Sequence, residues 1–164
     1  MRKQTGAFTL IEILVVVGII GVLASFILVS LVTGRDKARD AKRKMELSQV
    51  GRLLSYSCYL PDSGDGEYDL ADIIDEVKVK YPKYADIVKT TPKDPRVGTD
   101  AETFYKYIVA NSGTKCALYA NLENEDELVT LSDISIPTPK GGTGVFEALD
   151  LGWNGTAKYF QVSN

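Results

Sequence analysis

Glu12 stands between Ile11 and Ile13 at the head of an apolar run, where a carboxylate is chemically out of place. From Ile13 to Val32 there are 20 residues without a charge. As a helix they would extend about 30 Å, the thickness of a bilayer's hydrocarbon core. A charge within that core costs a few kcal/mol, roughly 2.5–3.5 for aspartate at mid-membrane on the mildest scales, so it calls for a partner. Two readings of Glu12 stand side by side. It marks the interface and reaches headgroup water, or it waits for a cation supplied by another group. The run is longer than the roughly 7–15 residues of a cleaved secretory signal. It also continues into Ala38, Ala41 and Met45 without a proline or glycine cluster, which favours a retained span over residues 13–32.

Other reactive groups are few. The 164 residues contain no histidine. Serine–histidine and cysteine–histidine nucleophiles are thereby excluded, along with the commonest metal ligand. Cys58 and Cys116 cannot make a four-thiolate zinc site. They either form a disulfide that staples a helix end to a strand, or remain two buried thiols. No catalytic residue is assigned and the chain is read as a non-enzyme. Gly141-Gly142-Thr143-Gly144 is read as a flexible loop, lacking the lysine and following helix of a phosphate-binding loop. Two acidic clusters, Asp62/Asp65/Glu67/Asp69 and Glu123/Glu125/Asp126/Glu127, are the places where calcium would be sought. Asp62, Asp65, Asp69, Glu123 and Asp126 are the candidate ligands, but neither cluster has EF-hand spacing, and a solvated acidic surface is the competing reading. No cofactor other than calcium is suggested. A net charge of −3 offers no broad basic surface for nucleic acid.

These groups must be held by a long helix and a small sheet. Thr33 to about Leu60 reads as helix, giving a first helix over residues 8–60. Ala38, Ala41 and Met45 form one apolar stripe, and Leu47, Val50, Leu54 and Cys58 a second one displaced round the axis. The first is expected to face neighbouring helices and the second to dock a globular domain over residues 61–164; a single irregular core face is the alternative. Gly18 and Gly21 permit close helix approach at some cost in helix stability. Pro61 to Gly66 carries turn chemistry. Asp69 is positioned to cap a short helix reaching about Val79, and a second short helix is expected around Tyr84–Val88. Phe104–Ala110 and Cys116–Leu122 read as hairpin strands, Lys158–Val162 as the last strand, and Leu128–Ile136 as ambiguous.

The segment from Lys3 to Glu12 resembles the processing site of type IV pilins and type II secretion pseudopilins. Arg2 and Lys3 match the basic leader, and Phe8-Thr9-Leu10-Ile11-Glu12 matches the run that opens the family's apolar helix. Thr91-Pro92-Lys93-Asp94-Pro95-Arg96 and Leu118 to Asn124 are similar to the family's globular domain, whereas 126–164 carries no such likeness. The resemblance implies an α+β fold, with a long N-terminal α-helix packed on a small antiparallel sheet. It also implies a leader over residues 1–7, cut by a prepilin peptidase, and N-methylation of the new terminus. Family members usually have glycine immediately before the cut, whereas here Gly6 is followed by Ala7. Cleavage between Ala7 and Phe8 is expected because it leaves Glu12 four residues from the new amine; a cut after Gly6 would begin the chain at Ala7. The Phe8 ammonium of one copy would then meet Glu12 of a neighbour in a staggered homopolymer.

The first functional expectation is a type IV pilus subunit serving adhesion, motility or DNA uptake. The alternatives are the major pseudopilin of a type II secretion system and a tethered binding protein that never polymerises. The implied partners are copies of itself, the peptidase, an inner-membrane assembly platform and the membrane before assembly, with nucleic acid reached only through a filament. The implied location is a single-pass membrane precursor with its C-terminal domain outside the cytoplasm, then an extracellular or periplasmic filament. Arg35, Lys37, Arg39, Lys42, Arg43 and Lys44 oppose that topology, since cations flanking a span favour the cytoplasmic side. The resemblance and the interleaved Asp36, Asp40 and Glu46 support it.

Overall fold

A computed structural model describes residues 9–55, 57–84 and 90–164, leaving aside the side chains of 27–32, 54, 55 and 84. The chain divides into two units, Met1–Arg35 and Asp36–Asn164. In the first, helix α1 (Leu10–Ser55) begins, and its described apolar side chains through Phe26 are exposed. Side chains added at Gly18 or Gly21 would meet nothing within 4 Å. Among the described residues no helix is long and apolar enough to cross a membrane. The expected 13–32 span runs past Phe26 into residues 27–32, whose side chains lie outside the described set.

The second unit is an antiparallel five-stranded sheet with the C-terminal part of α1 and a short helix packed on it. Its elements are β1 (Gly66–Asp69), α2 (Leu70–Lys80), β2 (Lys106–Ala110), β3 (Lys115–Asn121), β4 (Gly144–Glu147) and β5 (Lys158–Ser163), in the spatial order β1-β2-β3-β5-β4. Strand alternation aims Tyr107, Val109, Cys116, Leu118, Ala120, Phe160 and Val162 at one face, where they bury with Leu47 and Val50 of α1 and Leu70 and Ile73 of α2. Gly51 lets α1 come close to β5, because a Cβ there would lie 2.5 Å from Val162 Cγ1. This is the expected α+β, pilin-like arrangement.

The face of α1 toward the sheet runs through Asp40, Arg43, Leu47 and Val50, while Ala38, Ala41 and Met45 are exposed. Of the expected docking stripe Leu47 and Val50 are buried, Cys58 lies beyond the helix and the Leu54 side chain is outside the described set, while the other expected stripe is exposed. The helix ends at Ser55 rather than near Leu60. Cys58 is drawn into a disulfide, and the Tyr59 carbonyl accepts from the Tyr107 hydroxyl at 2.8 Å, so the chain turns onto the sheet. Asp69 caps α2 as expected, accepting from the Ala71 amide at 3.0 Å. A 3-10 turn at Pro82–Tyr84 stands at the start of the second expected helix, and residues 85–88 lie outside the described set. β2 starts later than expected because Phe104 has φ 59°, a left-handed conformation that a strand does not continue through. The hairpin loop contains Asn111, Ser112 and Gly113 with positive φ. Leu128–Ile136 forms no regular element. The Gly141–Gly144 segment is held rather than loose: Gly142 donates to Ser163 Oγ and accepts from Gln161 Nε2, and Gly144 opens β4.

Candidate functional site

At the helix start, Thr9 and Glu12 form a reciprocal cap. The Thr9 amide and hydroxyl donate to Glu12 Oε2 at 2.7 and 2.8 Å, and the Glu12 amide donates to Thr9 Oγ1 at 3.3 Å. A threonine at the N-cap with glutamate three residues later satisfies two otherwise orphaned donors, and the carboxylate sits at the positive end of the helix dipole. Glu12 is thus not wholly stranded within one copy. Among the described residues, Oε1 has no partner, so one oxygen remains for a cation from elsewhere. Gly6, Ala7 and Phe8 lie outside the described residues.

A second polar assembly ties the globular unit to α1. Arg43 is fully buried, at 0% exposure. Its Nε and Nη2 donate to the two oxygens of Asp94, both at 2.8 Å, which is the bidentate fork preferred between guanidinium and carboxylate. Its Nη1 lies 2.7 Å from Asp40 Oδ1 and 2.6 Å from Glu123 Oε1. Arg39 binds Glu123 through Nε and Nη2 at 2.7 and 2.6 Å. Asp40 accepts from the backbone amides of Glu123 and Asn124 at 3.0 and 2.9 Å. Asp94 also accepts from Asn154 Nδ2 and from the Arg96 amide, both at 2.8 Å. Lys44 pairs with Glu127.

Burial alone would push these carboxylates up and the arginine down. For Asp94 the burial effect is outweighed by Arg43, then by the Arg96 amide and Asn154, and it is held below the usual carboxylate range. Glu123 is likewise buried, yet it is held below that range by Arg39 and Arg43. Arg43, opposed by its own burial, is held above its ordinary value by Asp94, Glu123 and Asp40. Around Arg43 the cluster is a saturated ionic lock, with the side chains of Arg43, Asp40, Asp94 and Glu123 buried, and it is suited to fixing geometry.

The remaining expected site residues are dispersed. Cys58 and Cys116 form a disulfide, with Cα atoms 5.7 Å apart. The calcium candidates do not converge. Asp62 pairs with Lys80, Asp65 accepts from the Ser112 amide, Asp69 caps α2 and accepts from Thr103, Glu123 belongs to the Arg39/Arg43 lock, and Asp126 is exposed. No group of three or more potential metal-binding side chains occurs among the described residues. Four of the five candidates are thus engaged by cations, amides or a hydroxyl, and Asp126 faces solvent apart from them.

Residues 2–28 match the prokaryotic N-terminal methylation motif family. The type II secretion system core protein G of Vibrio cholerae serotype O1 (strain ATCC 39315 / El Tor Inaba N16961) is 32% identical over 99 residues, covering 58% of this chain and 67% of that protein. This chain belongs to the type IV pilin and type II secretion pseudopilin family. No solved structure matches it. As a pilin-family protein it is structural and not an enzyme. Its likeness to core protein G favours the secretion alternative over the pilus subunit expected first.

The ionic lock of this pilin-family chain was not found from sequence, although one signal for it existed. Asp36, Asp40 and Arg43 continue the helical spacing of Leu47 and Val50, extending the core-facing stripe with charged residues.

Proposed function

We propose that this chain is the major pseudopilin of a type II secretion system, polymerising through its N-terminal helix into a short periplasmic filament that drives protein export. The observation carrying this reading is that likeness to core protein G extends over 99 residues, far beyond the methylation motif at 2–28, and so reaches into the globular unit. The precursor inserts once in the inner membrane with its C-terminal unit outside the cytoplasm. A prepilin peptidase cuts between Ala7 and Phe8, and Phe8 is N-methylated. The new ammonium of one copy takes the free Oε1 of Glu12 on its neighbour, while the Thr9 cap holds Oε2. An inner-membrane assembly platform recruits the subunit.

The test is complementation. The chain is expressed in a cell lacking its own major pseudopilin, and secreted enzyme is assayed in the medium. Restored secretion, lost with Glu12→Val while membrane insertion persists, is the expected result. Abundant sheared surface fibres of this 18.0 kDa chain with no recovery of secretion would favour the pilus instead. Mass spectrometry of the mature terminus checks the cut, and a chain that retains Met1 would count against processing.

A further inference from the structure

The second unit carries two exposed surfaces of opposite charge, one beside α2 at the β1 side of its sheet and one on the loop that leads from central strand β3 toward edge strand β4. One is a groove of about 800 Å³ beside α2. Its floor includes Leu53, Leu60, Ile73 and Val77, and Arg52, Lys78, Lys80 and Lys83 line it with no carboxylate among them. Lys80 is held by Asp62 and Glu76. Among the described residues Lys78 has no ion pair or hydrogen bond, and Arg52 bonds the Ser48 carbonyl and no carboxylate. The other surface is the loop after β3, Glu123-Asn124-Glu125-Asp126-Glu127-Leu128. Its outer acids, Glu123 and Glu127, are bound to α1 through Arg39, Arg43 and Lys44. Glu125 and Asp126 are exposed and unpaired among the described residues, and Leu128 projects at 78% exposure.

Their placement decides how they can be used. The groove belongs to the side of the sheet where α2 packs on β1 and β2. The acidic loop leads into Thr130 and Leu131, whose amides bond Val145 of β4 at the far edge. Along α1 the loop is fastened at Asp40 and Lys44, whereas the groove starts at Val50, roughly 9–15 Å further on by the helix rise. Two different surfaces that complement each other make a head-to-tail contact, which with a shift along α1 propagates into an open helical polymer instead of closing a dimer. Copies packed in parallel and shifted along the α1 axis bring the loop of one level with the groove of the next.

We propose that the Glu125–Leu128 loop of one copy seats in the α2 groove of a second copy, Leu128 entering the apolar floor while Glu125 and Asp126 meet Arg52 and Lys78. This contact rests on the filament reading and supplements the helix packing with a link between globular units.

The experiment uses the full chain assembled in cells and two charge-reversed variants, Glu125→Lys/Asp126→Lys and Arg52→Glu/Lys78→Glu. Each alone is expected to cut filament recovery about tenfold, because it sets like charges against each other. Combined in one chain, they restore recovery. Leu128→Cys with Val77→Cys in the same chain gives an intermolecular covalent ladder under mild oxidation. The mobility of the native disulfide and circular dichroism confirm that each variant folds. Wild-type filaments with undiminished recovery in both reversals, or with cross-links only within one chain or to a different protein, overturn this contact and leave the filament reading intact. A wild-type chain that forms no filament removes both.

Discussion

Replacing Arg43 by methionine isolates what the ionic lock contributes. Methionine keeps most of the side chain's length and removes the guanidinium, so Asp94 keeps its amide and Asn154 contacts but loses its cation, and Asp40 and Glu123 each lose one contact. Breaking a buried pair by removing one partner costs about 3–5 kcal/mol, because uncompensated charge stays in a poorly solvated place. For a unit the size of Asp36–Asn164 this is a fall of roughly 10–20 °C in Tm. Thermal melting of the full chain in detergent, followed by circular dichroism, measures it.

The pH dependence is the sharper check. Asp94 and Glu123 are held below their ordinary values in the folded wild type. Such groups add stability that is complete above their unfolded values, about 3.9 and 4.3, and is lost as pH falls through the lower folded values. Wild-type Tm should therefore stay nearly level from pH 7 to 5 and drop in stronger acid. In Arg43→Met the burial effect on Asp94 is offset only by the Arg96 amide and Asn154, so its carboxyl rises and protonation relieves the variant. Its deficit should be greatest at pH 7 and shrink toward pH 5. A deficit equal at both pH values, or a Tm within a few degrees of wild type, would show that the cluster does not hold the unit together.

Three further outcomes test the frame around it. Cys58→Ser or Cys116→Ser should lower stability by about 4 kcal/mol on the chain-entropy estimate for a separation of 58 residues, and reductant should lower the wild-type Tm similarly while leaving the variants unchanged. Gly51→Val should cost about 1–3 kcal/mol in chemical denaturation, since even a Cβ there meets Val162; unchanged stability would refute the close approach of α1 and β5. Asp69→Ala should cost about 1–2 kcal/mol and loosen α2, because the capping oxygen that serves Ala71 also accepts from Thr103; amide exchange at Ala71 and Thr103 reads this directly.

Local signals were legible, and pairings distant in sequence were not. The leader-like segment, the apolar run and the Asp69 cap each sit within a few consecutive residues, so residue type and spacing reveal them. The strands at 106–110, 115–121 and 158–163 show through β-branched and aromatic enrichment. β1 did not, because Gly-Glu-Tyr-Asp has no apolar alternation and is a strand through its ladder with β2. β4 is four residues long and gains its identity from pairing with β5. Asp94 looked like part of a proline-rich connection, and Glu123 and Asp126 like two members of one acidic cluster. Only the fold separates the first two, which neutralise Arg43, from the third, which faces solvent. The calcium expectation grouped acids by sequence proximity, whereas the fold sends Asp62 to Lys80, Asp65 to the Ser112 amide, Asp69 to the cap of α2 and Glu123 to Arg39 and Arg43, and leaves Asp126 in solvent.

The same lock changes the meaning of the cations that follow the apolar run. Counted along the chain, six of them argue for a cytoplasmic flank and for an electrostatic surface that would attract phosphates. In the folded unit Arg39 and Arg43 are committed to Asp36, Asp40, Asp94 and Glu123, Lys42 lies 3.7 Å from Glu46, and Lys44 is bound to Glu127. At Arg39 and Arg43 a nucleic-acid phosphate would have to displace a bidentate carboxylate, exchanging one ionic partner for another while exposing the first. Arg39, Arg43 and Lys44, half of the residues that most resembled a topology signal, are therefore construction elements of the globular unit, and beside their local partners Asp36 and Asp40 they take acids from 51 to 84 positions further along the chain. A net basic segment beside a span carries a topological or nucleic-acid argument only after the acids that the fold returns to it have been counted.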